Sequence, residues 1–222
     1  MTKKVAVVTA ASKGMGAACA TELAQRGYEI VLMSRSDAVL ERDIRNPADL
    51  ERVVSNAYQR YGRIDAVVNN TGHPPKGDLL EISDQQWHDG LDLLLLNVVR
   101  TARHVVPIME KNGGGSIVNI SSFGAIEPSL VFPLSSSLRA ALSAFTKLFA
   151  DRYADRGIRM NTVLPGFVDS YPIDNKTKAQ IPMQRSASTQ EIAKTVAFLL
   201  SDDAGYITGQ SICVDGGLGR SF

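Results

Sequence analysis

The sequence predicts an α/β protein: one domain over residues 1–222 with a parallel sheet wrapped by helices. Three observations predict it. Short Val- and Ile-rich runs alternate with longer segments of helical period. A glycine-bearing turn, Ser12-Lys13-Gly14-Met15-Gly16, separates the first run from the first helical segment. The chain has 222 residues, 44% hydrophobic and 21% charged, which suits a single sizeable core.

The predicted strands are Val5 to Thr9, Glu29 to Met33, Val39 to Asp43, Ala66 to Asn69, Ser116 to Ile120, Arg159 to Leu164 and Ser211 to Val214. The predicted helices are Gly14 to Arg26, Pro47 to Tyr61, Ser83 to Met109, Leu134 to Asp155 and Thr189 to Ser201. Ser83 with Gln86 reads as a capping box, and Thr189 with Ile192 as a capped start. Gly113-Gly114-Gly115 reads as a surface turn. Too few residues separate Met33 from Val39 for a crossover helix, so a bare loop is expected there, leaving that flank of the sheet thin.

Charge and composition exclude several classes. The 24 basic residues nearly cancel the 23 acidic ones without a basic run, so neither nucleic acid nor a membrane surface is an expected partner. The apolar run after Met1 stops at Ala11, unlike a secretory signal, and no stretch approaches a membrane span; even Leu91 to Val99 holds Asp92 and Asn97. A cytoplasmic protein is expected. Cys19 and Cys213 read as small buried hydrophobes, and His73, His88 and His104 lack ligand spacing, so no metal is expected.

The turn from Thr9 to Gly16 lies where glycines let a backbone approach a pyrophosphate and a helix amino end attracts its charge. Later motifs follow in order: Asn69-Asn70-Thr71-Gly72, Asn97, Val118-Asn119-Ile120-Ser121-Ser122, Asn161 to Gly166, Tyr206 to Gln210, and Val214-Asp215-Gly216-Gly217. In this order and spacing the chain resembles the short-chain dehydrogenase/reductase family over almost its whole length. The resemblance implies a doubly wound, Rossmann-like sheet of about seven strands, here lacking the helix between strands two and three. It also implies NAD or NADP across the carboxyl ends of the strands.

Residue by residue, the resemblance assigns the turn Ser12, Lys13, Gly14, Met15 and Gly16, opened by Thr9, to the phosphates. It gives Asp43 and Ile44 to the adenine, Asn70 and Gly72 to the ribose side, and Pro165, Val168 and Ser170 to the nicotinamide end. Ala10 stands where the family carries its first glycine. The end of the second strand carries Ser34 and Arg35 rather than an acidic residue, and with Lys13 two cations converge where a 2′-phosphate would lie. That charge pattern favours NADP(H).

In the family a serine, a tyrosine thirteen residues on, a lysine four further and a helix asparagine form the active site. Ser122 and Asn97 match the serine and asparagine, whereas Ser135 and Arg139 occupy the tyrosine and lysine positions. Serine is a far weaker acid than a tyrosine lowered from about 10 by a neighbouring cation, and Arg139, which can donate hydrogen bonds to the nicotinamide ribose of the cofactor, is a poor proton relay. Ser122, Ser135 and Arg139 suit stabilisation of an oxyanion, which favours reduction of a conjugated enone or an activated ketone. A catalytically impaired NADP-binding scaffold or sensor is the alternative. Phe123, Ile126, Phe132 and the loop Phe167 to Pro182 suit a small hydrophobic or cyclic carbonyl substrate. The resemblance implies a homodimer or homotetramer through the helices at Ser83 to Met109 and Leu134 to Asp155.

Overall fold

The computed structural model describes residues 3–33 and 43–220. Six strands form one parallel sheet: β1 (Val5–Thr9), β2 (Glu29–Met33), β3 (Ala66–Asn69), β4 (Gly115–Ile120), β5 (Ile158–Pro165) and β6 (Ser211–Val214), in the order β2-β1-β3-β4-β5-β6. The run Val39 to Asp43 lies outside the described residues except for Asp43, which is in no strand, so the sheet is six-stranded among the described residues. The expected absence of a helix between Met33 and Val39 likewise lies outside them. The chain leaves β1 in one direction to make β2 and returns to the other side for β3, so a crevice opens at the carboxyl ends of β1 and β3.

Every residue of β1 is buried because both faces are covered. Alternation sorts them: Val7, Val67 and Ile117 face a cluster with Leu50, Val105 and Leu142, whereas Ala6, Val8 and Val68 face Leu23, Ile192 and Val196. The first layer comprises α2 (Pro47–Tyr61), α4 (Asn97–Lys111) and α5 (Pro133–Tyr153); the second comprises α1 (Gly14–Gln25) and α7 (Thr189–Leu200). Edge strand β2 is less well covered, and Leu32 is 50% exposed, in line with a thin flank.

Local signals set the helix starts. Asn46 accepts from Ala48 N–H at 3.0 Å ahead of Pro47, and α2 stops at Gly62 with φ 71°. Ser83 and Gln86 form the expected capping box ahead of α3 (Asp84–Leu91). The cap of α7 is corrected: Ser188 with Glu191 forms the box, one residue before the expected Thr189 and Ile192, because Glu191 can reach back to the Ser188 N–H and isoleucine has no acceptor. The expected helix Ser83 to Met109 is interrupted by a π-helical segment, Asp92–Leu96, which ends immediately before Asn97. A six-residue helix, α6 (Asn175–Gln180), was not expected in the loop after β5. Cys19 is buried as expected, but Cys213, on edge strand β6, is exposed.

Candidate functional site

The turn between β1 and α1 has a geometry suited to an anion. Ala10 sits at φ 46° and Gly14 at φ 58°, both left-handed. A Cβ on Gly16 would fall 2.5 Å from Ala10 O and 2.7 Å from Asn70 Nδ2, so only glycine fits beneath the turn. Lys13 caps α1 without a side-chain bond, and the first turn of the helix holds no acidic residue, leaving amide donors and a helix dipole aimed at the crevice. The turn, its glycines and the uncapped helix end therefore fit a dinucleotide diphosphate.

Thr9 and Asn70 fix the turn from below. Thr9 Oγ1 donates to Asn70 O at 2.8 Å and accepts from Asn70 N–H at 3.0 Å, while Asn70 Nδ2 donates to Ala10 O at 3.1 Å. The Asn70 side chain thus holds the turn at Ala10, and the Thr9 hydroxyl holds the Asn70 backbone. Ile44 is buried with Met33 and Leu50, and Asp43 is held by Arg45, whose Nη2 donates to it at 2.6 Å. Ser34 and Arg35 lie outside the described residues; Lys13 is exposed on the turn, and Gly72 lies exposed beyond Asn70.

A buried polar strip carries position from the sheet to α5. Asn69 Nδ2 donates to Asn119 Oδ1 at 2.9 Å, Asn119 Nδ2 donates to Thr146 Oγ1 at 3.2 Å, and Thr146 and Thr162 share a hydroxyl bond at 2.9 Å. These bonds tie β3, β4 and β5 to α5. Two helical turns before Thr146 is Arg139, which points to the carboxyl end of β4: Nη1 donates to Ile120 O at 3.3 Å and Nε donates to Ser135 Oγ at 3.1 Å. The residue is 8% exposed, and no carboxylate pairs with it among the described residues. Burial pushes its guanidinium down to about 10, so it stays cationic at neutral pH as an uncompensated charge.

Ser122 accepts from Gly124 N–H at 3.3 Å, and a Cβ on Gly124 would lie 3.3 Å from Ser136 Oγ and 3.7 Å from Ser122 Oγ, so these two hydroxyls border one gap. Ser121 Oγ beside them is buried without a partner. Asn97 follows the π segment and is buried; its Oδ1 accepts from Val98 N–H, and its carbonyl accepts from Thr101 Oγ1 at 2.8 Å. The cluster therefore offers hydroxyls and one fixed cation at the end of β4.

The loop after β5 reaches over this end of the sheet. Val168 pairs with Ala187 by a parallel bridge, Phe167 meets Phe123 with ring centres 6.0 Å apart, and Ser170 lies against Gly14, whose added Cβ would be 3.7 Å from Ser170 Cβ. Pro165, the last residue of β5, is buried. Phe132, just before α5, has Lys76 Nζ 5.2 Å from its ring centre. Sequence reasoning missed one feature: His73 packs edge-on against Tyr171 at 4.9 Å, a contact between two loops with no spacing pattern to reveal it. Among the described residues, no group of three His, Cys, Asp or Glu side chains could hold a metal, and no helix is long and apolar enough to cross a membrane.

A parallel sheet with an anion-binding turn after β1 and a hydroxyl-and-cation cluster after β4 defines a dinucleotide-binding α/β protein. The family described as Enoyl-(Acyl carrier protein) reductase matches residues 9–219. A 3-oxoacyl-[acyl-carrier-protein] reductase of Salmonella typhimurium is 33% identical, with 97% of each chain covered, and human dehydrogenase/reductase SDR family member 4 is 32% identical, over 98% of this chain and 88% of that one. Among solved structures, L-sorbose reductase from Gluconobacter frateurii, complexed with NADPH and L-sorbose, superposes with TM-score 0.92 at 29% identity, covering 100% of this chain and 98% of that one. Thermoplasma acidophilum aldohexose dehydrogenase, ligand-free, gives TM-score 0.92 at 30% identity, covering 99% and 95%. The chain belongs to the short-chain dehydrogenase/reductase family of oxidoreductases.

Proposed function

We propose that this protein is an NADPH-dependent reductase of a conjugated enone or activated ketone, with Ser135 and Arg139 at the family's tyrosine and lysine positions. The observation that carries the reading is Arg139: a buried guanidinium with no carboxylate partner among the described residues, fixed by Ser135 Oγ and by Ile120 O two residues before Ser122. A buried cation of this kind is destabilised until negative charge develops near it, the property a site needs if it binds an oxyanion better than a neutral carbonyl. Ser122 and Ser135 add hydroxyl donors, and Asn97 fixes the helix beside them. The L-sorbose reductase complex holds NADPH, which supports the same cofactor here, and Lys13 with Arg35 supplies charge for a 2′-phosphate.

The turn Thr9 to Gly16 would hold the diphosphate, and Pro165, Val168 and Ser170 would hold the nicotinamide end. Asp43, Ile44, Asn70 and Gly72 would border the adenosine half. When bound, the reduced nicotinamide supplies hydride. Arg139 and the two serines then hold the oxygen that becomes negative, and for an enone the enolate needs charge stabilisation before it needs an acid. Phe123 and Phe167 provide an apolar wall suited to a small hydrophobic or cyclic carbonyl substrate.

A homodimer or homotetramer would cover the α4 and α5 face, where Leu148 is 67% exposed beside a groove lined by Val99, Val106 and Phe145. The test of function is NADPH oxidation across enones, quinones and ketones. Turnover that is lost in Arg139→Ala supports the reading. One observation favours the alternative of a non-catalytic NADP-binding scaffold: Ser135 and Arg139 bond each other, as a purely structural pair would. Tight NADPH binding without oxidation of any substrate would establish that alternative.

A further inference from the structure

The reductase reading leaves a cation and hydroxyls at the site but no acid that titrates near neutral pH. The structure brings one to its edge. β3 and β5 flank β4, so a contact between the loops leaving their carboxyl ends crosses above the end of β4, where Ser122 and the Arg139 guanidinium lie. His73, after β3, and Tyr171, after β5, make that contact: their ring centres are 4.9 Å apart at an interplanar angle of 79°. Lys76 provides a second anchor on Phe132, three residues before Ser135. The 73–76 segment is thus held at the mouth of the Ser122, Ser135 and Arg139 cluster from two sides.

We infer that His73 is the catalytic residue that delivers a proton to the substrate oxygen, and that Tyr171 is a positioning residue that holds its ring. This rests on the reductase reading above. Hydride addition at carbon leaves an electron pair on the carbonyl oxygen. An O–H bond then forms there, an N–H bond of the His73 imidazolium breaks, and the ring is left neutral. The product is an alcohol from a ketone, or an enol from an enone that tautomerises to the saturated ketone. His73 is exposed, so water restores the proton.

The groups facing His73 are Tyr171, Arg139 and Lys76. Partial desolvation first, and then the Arg139 and Lys76 cations, hold the imidazole below its ordinary 6.5. The protonated ring is a readier donor for it. Because the acid form is the active one, kcat/KM for reduction falls as pH rises through that lowered value.

Two measurements on the full chain test this. In the cofactor-free protein, NMR titration of the three histidines, with His73 assigned by His73→Gln, should show His73 titrating below 6.5 and moving upward in Arg139→Gln. In turnover, His73→Gln should keep NADPH affinity within about twofold yet lose about 10²-fold in kcat/KM together with its fall at rising pH. Imidazole should restore part of the rate to His73→Gly. Tyr171→Phe should behave as wild type, while Tyr171→Ala should lose about tenfold with His73 retained. If the wild type turns over but His73→Gln keeps its rate and pH profile, or if Arg139→Gln leaves the His73 titration unmoved, the proton-donor role is wrong and the reductase reading stands. If the wild type binds NADPH and reduces nothing, both fall.

Discussion

Arg139 Nε donates to Ser135 Oγ at 3.1 Å, one turn apart on α5, while the same guanidinium reaches Ile120 O on β4. The pair joins the helix to the carboxyl end of the sheet and sets a cation there with no anionic partner among the described residues. An unpaired buried charge carries a desolvation cost that a hydrophobe of similar length avoids. Arg139→Met should therefore leave the apoprotein as stable as wild type or up to about 2 kcal/mol more stable in thermal unfolding, while abolishing turnover.

Ala10 at φ 46° carries a side chain where the backbone prefers glycine. Ala10→Gly should relieve about 1 kcal/mol of strain, raising Tm without weakening NADPH affinity in a fluorescence titration.

Gly16 has the opposite requirement. Its added Cβ would meet backbone at Ala10 O, 2.5 Å away, and the Asn70 amide, 2.7 Å away. Gly16→Ala should push the turn off Asn70 and weaken NADPH binding by at least about tenfold, read in the same titration.

Lys13 stands exposed on the turn. Lys13→Ala should weaken NADPH by roughly tenfold and leave NADH nearly unchanged, because the lost interaction is with the 2′-phosphate alone.

Glu191 caps α7 and pairs with Arg185; the Arg185 bonds first, then the Ser188 N–H, push its carboxyl from 4.5 down to about 2. A depressed carboxyl stabilises the fold above its unfolded value and loses that contribution as pH falls from 4.5 towards 2. Glu191→Gln should lower Tm at pH 7 and match wild type near pH 2, by a modest amount because the pair is half-exposed.

The fold was legible because strands buried on both faces are short unbroken apolar runs, and the helices between them keep their period. The segment Asp92–Leu96 reads as plain helix because four successive leucines carry no period from which a π turn stands out. The α7 cap shifted by one residue because Ser188 and Thr189 offer adjacent hydroxyls, and only the reach of Glu191 decides between them. The contact of Arg139 with Ser135 could be expected from their spacing of four residues on one helix. His73 with Tyr171 could not, since that contact exists only once β3 and β5 are set on either side of β4.

The most direct test of an oxyanion site built on Arg139 is deuterium transfer from 4-deuterated NADPH to mixed enone and ketone substrates, in wild type and in Arg139→Ala. The account predicts label on the β-carbon of an enone or the carbonyl carbon of an activated ketone. It also predicts that transfer falls at least about 10²-fold in the variant while NADPH still binds. Undiminished transfer in Arg139→Ala, or bound NADPH that labels no substrate in the wild type, would contradict it.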